Sequence, residues 1–72
     1  MILIYGKDNC PYCDMAKQLC EREKQEHVYL KLGEDFDRLF LMEEFPGART
    51  FPQINFHGDK IGGYTELVEK LK

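Results

Sequence analysis

The chain has 72 residues, 43% of them hydrophobic and 32% charged, so the composition predicts one small folded domain over residues 1–72 rather than a disordered segment. The net charge of −3 argues against a nucleic-acid-binding role, which would require a basic face. The apolar run Met1–Tyr5 is too short to span a bilayer and no basic leader precedes it, so we expect a cytoplasmic protein without membrane contacts. Three cysteines are too few for a secreted disulfide scaffold, and they favour thiol chemistry or metal binding.

The first half of the chain has the pattern of a strand, a helix and a second strand. The apolar run Met1–Tyr5 predicts a strand that is buried on both faces. Cys10-Pro11 has the form of a helix start, and apolar residues at three- and four-residue steps predict a helix over about residues 11–26. The partly alternating segment 27–32 predicts a second strand, which gives a βαβ unit whose strands are expected to be parallel.

The segment after the second strand predicts another helix. Asp35 is a candidate for its N-terminal cap, and Pro46-Gly47 is expected to end it. Apolar residues at helical spacing define the face that we expect to be buried, and these are Phe36, Leu39, Phe40 and Met42.

The last third of the chain predicts a hairpin followed by a short helix. Pro52–Phe56 and Lys60-Ile61 flank a turn and predict two antiparallel strands. Gly62-Gly63 separates this hairpin from a helix that carries apolar residues on one side. The complete order predicts an α/β fold in which a four-stranded mixed sheet has helices packed on both faces.

Cys10 and Cys13, in the segment Cys-Pro-Tyr-Cys, lie where the first helix is predicted to begin. Residues three apart on a helix lie about 5–6 Å from each other, which matches the Cα separation of a disulfide. Cys10 would cap the helix beside the unpaired amides of the first turn, and those amides, the helix dipole and Lys7 would lower the pKa of its thiol. We therefore predict that Cys10 is the nucleophile and that Cys13, on the apolar stripe, is the resolving thiol.

Zinc binding is the main alternative use of two cysteines at this spacing. Four ligands could come only from Cys10, Cys13, Cys20 and one of His27 or His57. Cys20 lies seven residues beyond Cys13, and the helical rise of about 10.5 Å is too long for shared tetrahedral coordination. We therefore expect no metal site and interpret Cys20 as a small buried residue, with a regulatory thiol as the alternative.

Four segments, in order and spacing, resemble those of dithiol glutaredoxins of the short bacterial or phage type: Ile4–Lys7, Cys10–Cys13, Thr50–Pro52 and Ile61–Leu67. The resemblance covers essentially the whole chain. It implies a thioredoxin-like fold with strand order 2-1-3-4 and three helices on the two faces of the sheet. It also implies a cis peptide bond between Phe51 and Pro52.

The same resemblance implies a glutathione-binding groove. Phe51 would offer its backbone to the cysteinyl part of glutathione, the amides at the start of the last helix would bind the glutamyl carboxylate, and Lys7 would pair with the glycine carboxylate, with Arg49 as a second candidate. Thr65-Glu66 stands where many members of the family carry an acidic pair. The glutathione-binding residues implied in this way are Lys7, Tyr12, Thr50, Phe51, Pro52, Gly63, Tyr64 and Thr65.

The activity that the resemblance implies is glutathione-dependent thiol–disulfide exchange. A monomeric protein would reduce protein disulfides with both cysteines, and glutathione mixed disulfides with Cys10 alone, as part of electron transport and redox homeostasis. Glutathione would be a co-substrate rather than a permanently bound cofactor, and ribonucleotide reductase is one protein client that the family implies. The alternatives are a redoxin served by thioredoxin reductase, a module that holds an iron–sulfur cluster between two subunits, and a zinc-binding structural domain.

Overall fold

The computed structural model describes residues 1–72 and contains four strands and three helices. None of its helices combines the length and the apolar character needed to cross a bilayer. The elements follow the predicted order: β1 (Ile2–Gly6), α1 (Pro11–Arg22), β2 (His27–Lys31), α2 (Arg38–Glu44), β3 (Gln53–Phe56), β4 (Asp59–Gly62) and α3 (Tyr64–Lys70).

The four strands form one mixed sheet in the order β2-β1-β3-β4, as predicted. The central strand β1 runs parallel to β2, with Ile2 opposite His27, and antiparallel to β3, with Ile2 opposite Phe56. β3 and β4 form the predicted hairpin. Because β1 lies inside the sheet, the loop that leaves its carboxyl end emerges near the middle of the molecule.

Helix α1 is shorter than predicted because a Schellman motif ends it at Arg22. Lys24 has a φ of 55°, and its amide donates to the carbonyl of Glu21 at 3.2 Å. The next amide, of Gln25, donates to the carbonyl of Cys20 at 2.9 Å. These two bonds satisfy the last carbonyls of the helix and turn the chain toward β2.

One face of the sheet carries α1 and α3 over the larger hydrophobic cluster. The apolar stripe of α1 is buried there, as its spacing predicted. Tyr29 and Phe56 pack at the margin of this cluster. Its buried members are Ile2, Ile4, Ala16, Leu19, Cys20, Ile54 and Leu67.

The opposite face carries α2 over a smaller and largely aromatic cluster of Tyr5, Leu41 and Phe45. The ring centroid of Tyr5 lies 5.2 Å from that of Phe36 and 5.3 Å from that of Phe45, both in edge-on orientation. Such edge-to-face pairs add to the free energy gained from burial alone. Aromatic rings rather than a broad aliphatic layer therefore hold α2 on the sheet.

The predicted cap of α2 was wrong. Asp37 is the N-cap, and its Oδ1 accepts a hydrogen bond from the amide of Phe40 at 2.9 Å. The Oδ2 of Asp35 accepts instead from the amide of Lys31 at 2.8 Å, in the turn that follows β2. Because Asp35 is committed to this turn, the helix begins two residues later than an Asp35 cap would have placed it.

The predicted buried face of α2 was wrong for Leu39 and Met42. Leu41 is the buried residue of the helix, whereas Leu39 and Met42 are 65% and 64% exposed. Phe36 lies before the helix and reaches the aromatic cluster from the preceding loop. Phe40, also a predicted residue, is 39% exposed, yet its ring centroid lies 5.8 Å from that of Tyr5.

Candidate functional site

Cys10 occupies the N-cap position of α1, and its Sγ accepts a hydrogen bond from the amide of Cys13 at 3.2 Å. Pro11 takes the first helical position, where a backbone N–H would have no acceptor within the helix, so its absence costs nothing. Asn9 precedes the cap with a φ of 55°, a conformation that asparagine tolerates better than most residues. Local sequence therefore sets the direction in which the Cys10 side chain leaves the loop.

Cys10 and Cys13 are joined by a disulfide, with their Cα atoms 5.2 Å apart. Cys13 is fully buried, whereas Cys10 retains 8% exposure. The structure thus bonds the two cysteines that the sequence singled out, and Cys10 is the one that an outside reactant can reach.

A cleft of about 220 Å³ lies beside the cysteine motif. Residues far apart in the chain line it, because the β1–β3 pairing and the packing of α3 against β3 bring them together. The peptide bond between Phe51 and Pro52 is cis, in agreement with the resemblance. The lining comprises Tyr12, Thr50, Phe51, Pro52, Gly63, Tyr64, Thr65 and Glu66.

Seven of the eight residues predicted to bind glutathione line this cleft, and Lys7 is the exception. The Nζ of Lys7 nevertheless lies 5.3 Å from the ring centroid of Phe51. On the other side of the cysteines, the rings of Tyr12 and Tyr64 lie 5.9 Å apart. Lys7, before Cys10 in the sequence, and Tyr12, after it, therefore each lie against an aromatic residue that lines the cleft.

The loop that carries Lys7 is held by contacts to β2. The hydroxyl of Tyr29 donates to the carbonyl of Lys7 at 3.3 Å, and the Nζ of Lys31 pairs with Asp8 at 3.1 Å. The hydrogen bond and charge of Asp8 raise the pKa of Lys31 above its ordinary value. Gly6 leaves room for Tyr29, since a Cβ at Gly6 would lie 2.7 Å from the ring carbon that bears the hydroxyl.

Glu66 is a cleft residue that the sequence analysis left out of the predicted site. Its Oε1 accepts a hydrogen bond from the amide of Gly63 at 2.8 Å. This is one of the two hydrogen bonds of a capping box. The other, from an N-cap side chain to the N3 amide, cannot form because the N-cap residue is glycine. The N-cap-to-N3 spacing of Gly63 and Glu66 is the signal that could have identified the contact.

Cys20 lies apart from the cysteine pair, fully buried between α1 and the sheet. Burial, with a smaller contribution from the charge of Glu21, raises the pKa of its thiol. This position agrees with its interpretation as a small buried residue. No three His, Cys, Asp or Glu side chains lie close enough together to form a metal-binding group.

Comparison with known proteins places this arrangement in a family. The family model described as Glutaredoxin matches residues 2–61. A glutaredoxin from Neisseria meningitidis is 30% identical over 67 residues, which cover 92% of this chain and 79% of that protein. Glutaredoxin-C4 from Arabidopsis thaliana is 32% identical over 71 residues, covering 94% of this chain and 53% of that protein, so the chain spans about half the length of some relatives that it matches.

Solved structures show the same fold. Glutaredoxin 1 from Francisella tularensis, crystallised with cacodylate, superposes with a TM-score of 0.80 and 29% identity, covering 96% of this chain and 88% of the other. A buckwheat glutaredoxin–glutathione complex superposes with a TM-score of 0.80 and 26% identity, covering 96% of this chain and 66% of the other. These similarities confirm the predicted four-stranded, three-helix fold.

Proposed function

Because this chain belongs to the glutaredoxin family, we propose that it is a glutathione-dependent thiol–disulfide oxidoreductase. The observation that carries the proposal is the position of Cys10 at the N-cap of α1, bonded to Cys13 and adjoining a cleft lined from three segments of the chain. The backbone amide of Cys13 already donates to the Cys10 sulfur, and the same bond would stabilise a thiolate after reduction.

The reaction proceeds by two displacements at sulfur. The Cys10 thiolate attacks one sulfur of a substrate disulfide, forms a mixed disulfide and releases the other sulfur as a thiolate. Cys13 then attacks Cys10, releasing the reduced substrate and leaving the Cys10–Cys13 disulfide. Two molecules of glutathione return both cysteines to thiols and leave as glutathione disulfide. A glutathione mixed disulfide needs Cys10 alone, because a second glutathione can take the place of Cys13.

In this proposal, glutathione lies along the cleft and each of its parts meets a different group. The backbone of Phe51 would offer an amide and a carbonyl to the central residue. Lys7, whose Nζ lies 5.3 Å from the Phe51 ring centroid, would pair with the glycine carboxylate. The amides of Gly63, Tyr64 and Thr65 would receive the glutamyl carboxylate, with Thr50, Pro52 and Tyr12 as walls. The buckwheat relative of the same fold was crystallised as a glutathione complex, which supports this assignment.

Protein disulfides are the second substrate class in this proposal. Ribonucleotide reductase stays a predicted client, and the monomeric state, the cytoplasmic location and the absence of a permanently bound cofactor stay predictions of the sequence. The exposure of the two cysteines supports these proposed roles, since Cys10 retains 8% exposure and can meet a substrate, whereas Cys13 is fully buried beside it.

The test is glutathione-driven reduction of a small glutathione mixed disulfide, coupled to NADPH oxidation by glutathione reductase. We expect Cys10→Ser to abolish turnover, Cys13→Ser to retain turnover of this substrate but lose reduction of a protein disulfide, and Cys20→Ala, the matched control, to retain both. Absence of turnover in the unmodified protein, with the Cys10–Cys13 disulfide still forming, would contradict glutathione dependence and indicate a redoxin served by another reductase.

A further inference from the structure

The loop between β1 and α1 is tied to β2 and to the residue that follows it. The carbonyl of Gly6 accepts a hydrogen bond from the amide of Leu32 at 2.9 Å. The carbonyl of the next residue, Lys7, accepts from the hydroxyl of Tyr29 at 3.3 Å. Two consecutive carbonyls are therefore bonded before the chain reaches Cys10, and they determine where the next residue of the loop lies.

That next residue is Asp8, whose carboxylate pairs with the Nζ of Lys31 at 3.1 Å. Lys31 is partly buried on β2, whereas the side chain of Asp8 is largely exposed. Asp8 lies two positions before Cys10, and the Cα atoms of residues two apart are at most about 7 Å from each other. The loop thus holds a carboxylate close to the reactive sulfur.

An uncompensated carboxylate at this position would oppose formation of the thiolate. Two negative charges disfavour each other, so a free Asp8 would lower the fraction of Cys10 that is ionised. Lys31 cancels the charge of Asp8, and the hydrogen bond and charge of Asp8 in turn raise the pKa of Lys31. A lysine with a raised pKa remains charged from neutral pH to about pH 9, so the compensation persists while a thiol titrates.

Asp14 brings a second negative charge to the same end of α1. It lies in the first turn of the helix and takes part in none of the ion pairs of the structure. The pKa of Tyr29 is raised chiefly by burial, then by the charges of Asp14 and Asp8, and is lowered by that of Lys31. Two acidic side chains therefore lie near the Tyr29 hydroxyl, and Lys31 supplies the positive charge among them.

The other charged and titratable groups around Cys10 do not pair with Asp8. The Nζ atoms of Lys7 and Lys17 lie over aromatic rings, 5.3 and 5.6 Å from the ring centroids of Phe51 and Tyr29. The remaining groups on adjoining elements are Tyr12 and Cys13 on α1, Glu34 after β2, Arg49 before β3, and Tyr64 and Glu66 on α3. Lys31 is therefore the group that compensates Asp8.

We propose that Lys31 is a positioning residue for the thiol reaction: it holds the Asp8 carboxylate against β2 and cancels its charge, so that Cys10 is more reactive than its acidic neighbours would otherwise allow. The inference rests on the proposed function, in which Cys10 is the nucleophile. Lys31 acts through Asp8 and is assigned no contact with a substrate.

The experiment uses reduced protein with Cys13→Ser and Cys20→Ala, in which Cys10 is the remaining thiol. Iodoacetamide alkylates its thiolate and releases iodide, so the rate well below the midpoint of the pH profile, divided by the plateau at high pH, gives the thiolate fraction. We expect Lys31→Met to lower this fraction about two- to threefold at low salt, because Asp8 is then uncompensated. Asp8→Asn should raise it by a similar factor, and the double variant should return it close to the unmodified value.

Further variants separate charge from packing. Lys31→Arg keeps the positive charge and should keep the thiolate fraction. Lys60→Met breaks a similar ion pair, with Glu44 at 3.4 Å, on the opposite edge strand of the sheet, and should leave the fraction unchanged. The effect of Lys31→Met should disappear in 1 M salt, where the Debye length is about 3 Å. Its thermal unfolding should stay close to that of the unmodified protein, because exposed ion pairs contribute little to stability.

Failure of this inference can be told from failure of the proposed function, because alkylation requires no glutathione. A merely structural role for the ion pair would make Lys31→Met and Asp8→Asn change the thiolate fraction in the same direction. That result, or an unchanged fraction in Lys31→Met, would overturn the inference even if the small glutathione mixed disulfide were turned over. Opposite changes that cancel in the double variant would support it, whether or not that turnover is observed.

Discussion

The two faces of the sheet differ in how many residues their helices bury, and the more densely packed face carries the helix of the reactive cysteines. The face under α1 and α3 buries seven residues in one continuous cluster, whereas the face under α2 buries three. The first face holds the helix that presents Cys10, so the position of the reactive sulfur is determined by a packed layer. The second face leaves Leu39 and Met42 largely exposed to solvent. The helices of the well-packed face thus carry the reactive cysteines and part of the cleft lining, namely Tyr12 of α1 and Tyr64 of α3.

The largest expected effect distinguishes the two faces within a single strand. Ile4 is fully buried under α1, while Leu3 points to the α2 face and is only partly buried. We expect Ile4→Ala to lower the free energy of unfolding by about 3–4 kcal/mol and Leu3→Ala by about 1–2 kcal/mol. Urea unfolding monitored by circular dichroism measures both. Equal losses would contradict the difference between the faces, and Ile4→Val keeps the comparison measurable if the alanine variant does not fold.

Rising alkaline pH should lower the stability of the protein in two stages, because buried groups on the two faces of the sheet lose their protons at different pH. The pKa values of Cys20 on the α1 side and Tyr5 on the α2 side are both raised, chiefly by burial. A raised pKa means that the folded state retains a proton which the unfolded state releases, so stability is full below the unfolded pKa and falls as pH rises. We expect loss to begin above about pH 8.5 with Cys20 and to steepen above about pH 10 with Tyr5 and with Tyr29, whose pKa is also raised chiefly by burial. Each group contributes at most about 1.4 kcal/mol per pH unit.

Matched variants identify the two contributions. In the disulfide form of the protein, Cys20→Ala should remove the decline in unfolding free energy between about pH 8.5 and 10, and Tyr5→Phe should affect only the steeper part above it. A decline below pH 10 that is unchanged in Cys20→Ala would show that the thiol is not its source.

A smaller effect is expected at the cap of α2. Asp37→Ala removes the acceptor for the Phe40 amide and should cost about 1 kcal/mol. Because α2 packs on the thin face, the loss should be local and visible as faster amide hydrogen exchange in α2 than in α1. Asp37→Ser retains a capping oxygen and should restore most of the stability, so an equal loss in both variants would argue against the capping role.

The smallest effect is expected from Met42, next to the buried Leu41. Met42→Ser should change the unfolding free energy by less than about 0.5 kcal/mol, because the side chain is mostly in solvent already. Leu41→Ala, in contrast, should cost at least about 2 kcal/mol. A large loss in Met42→Ser would mean that this residue belongs to the core of the α2 face, in contradiction to its exposure.

Much of the fold was predictable because its signals are local. The buried strand at Ile2–Gly6, the helix start at Cys10-Pro11 and the hairpin all follow from patterns within a few residues. The start of α2 was not predictable in this way, since Asp35 and Asp37 are both good caps. The choice between them depends on the bond from the Lys31 amide to Asp35, which belongs to the preceding turn.

The candidate site likewise combines local features, which the sequence predicts, with tertiary features, which it does not. The proximity of Cys10 and Cys13 follows from helix geometry, and the structure has them bonded. The meeting of residues 50–52 with residues 63–66 depends on tertiary packing, and only the family resemblance anticipated it. The capping bond from the Gly63 amide to Glu66 is local, and the N-cap-to-N3 spacing made it accessible to sequence reasoning.

The pairing of β1 with both β2 and β3 has a consequence for how the chain folds. Residues 2–31 form one unit of local contacts and residues 53–70 form another, and the sheet becomes continuous only when Ile2 meets Phe56. Closing so long a loop carries an entropic cost that local pairing does not, so this joining is expected to be the late step. The cysteine helix belongs to the first unit, and the cleft residues Tyr64 and Thr65 belong to the second. A nascent chain can therefore expose a reactive thiol pair before it possesses the cleft that would govern which disulfides that pair attacks.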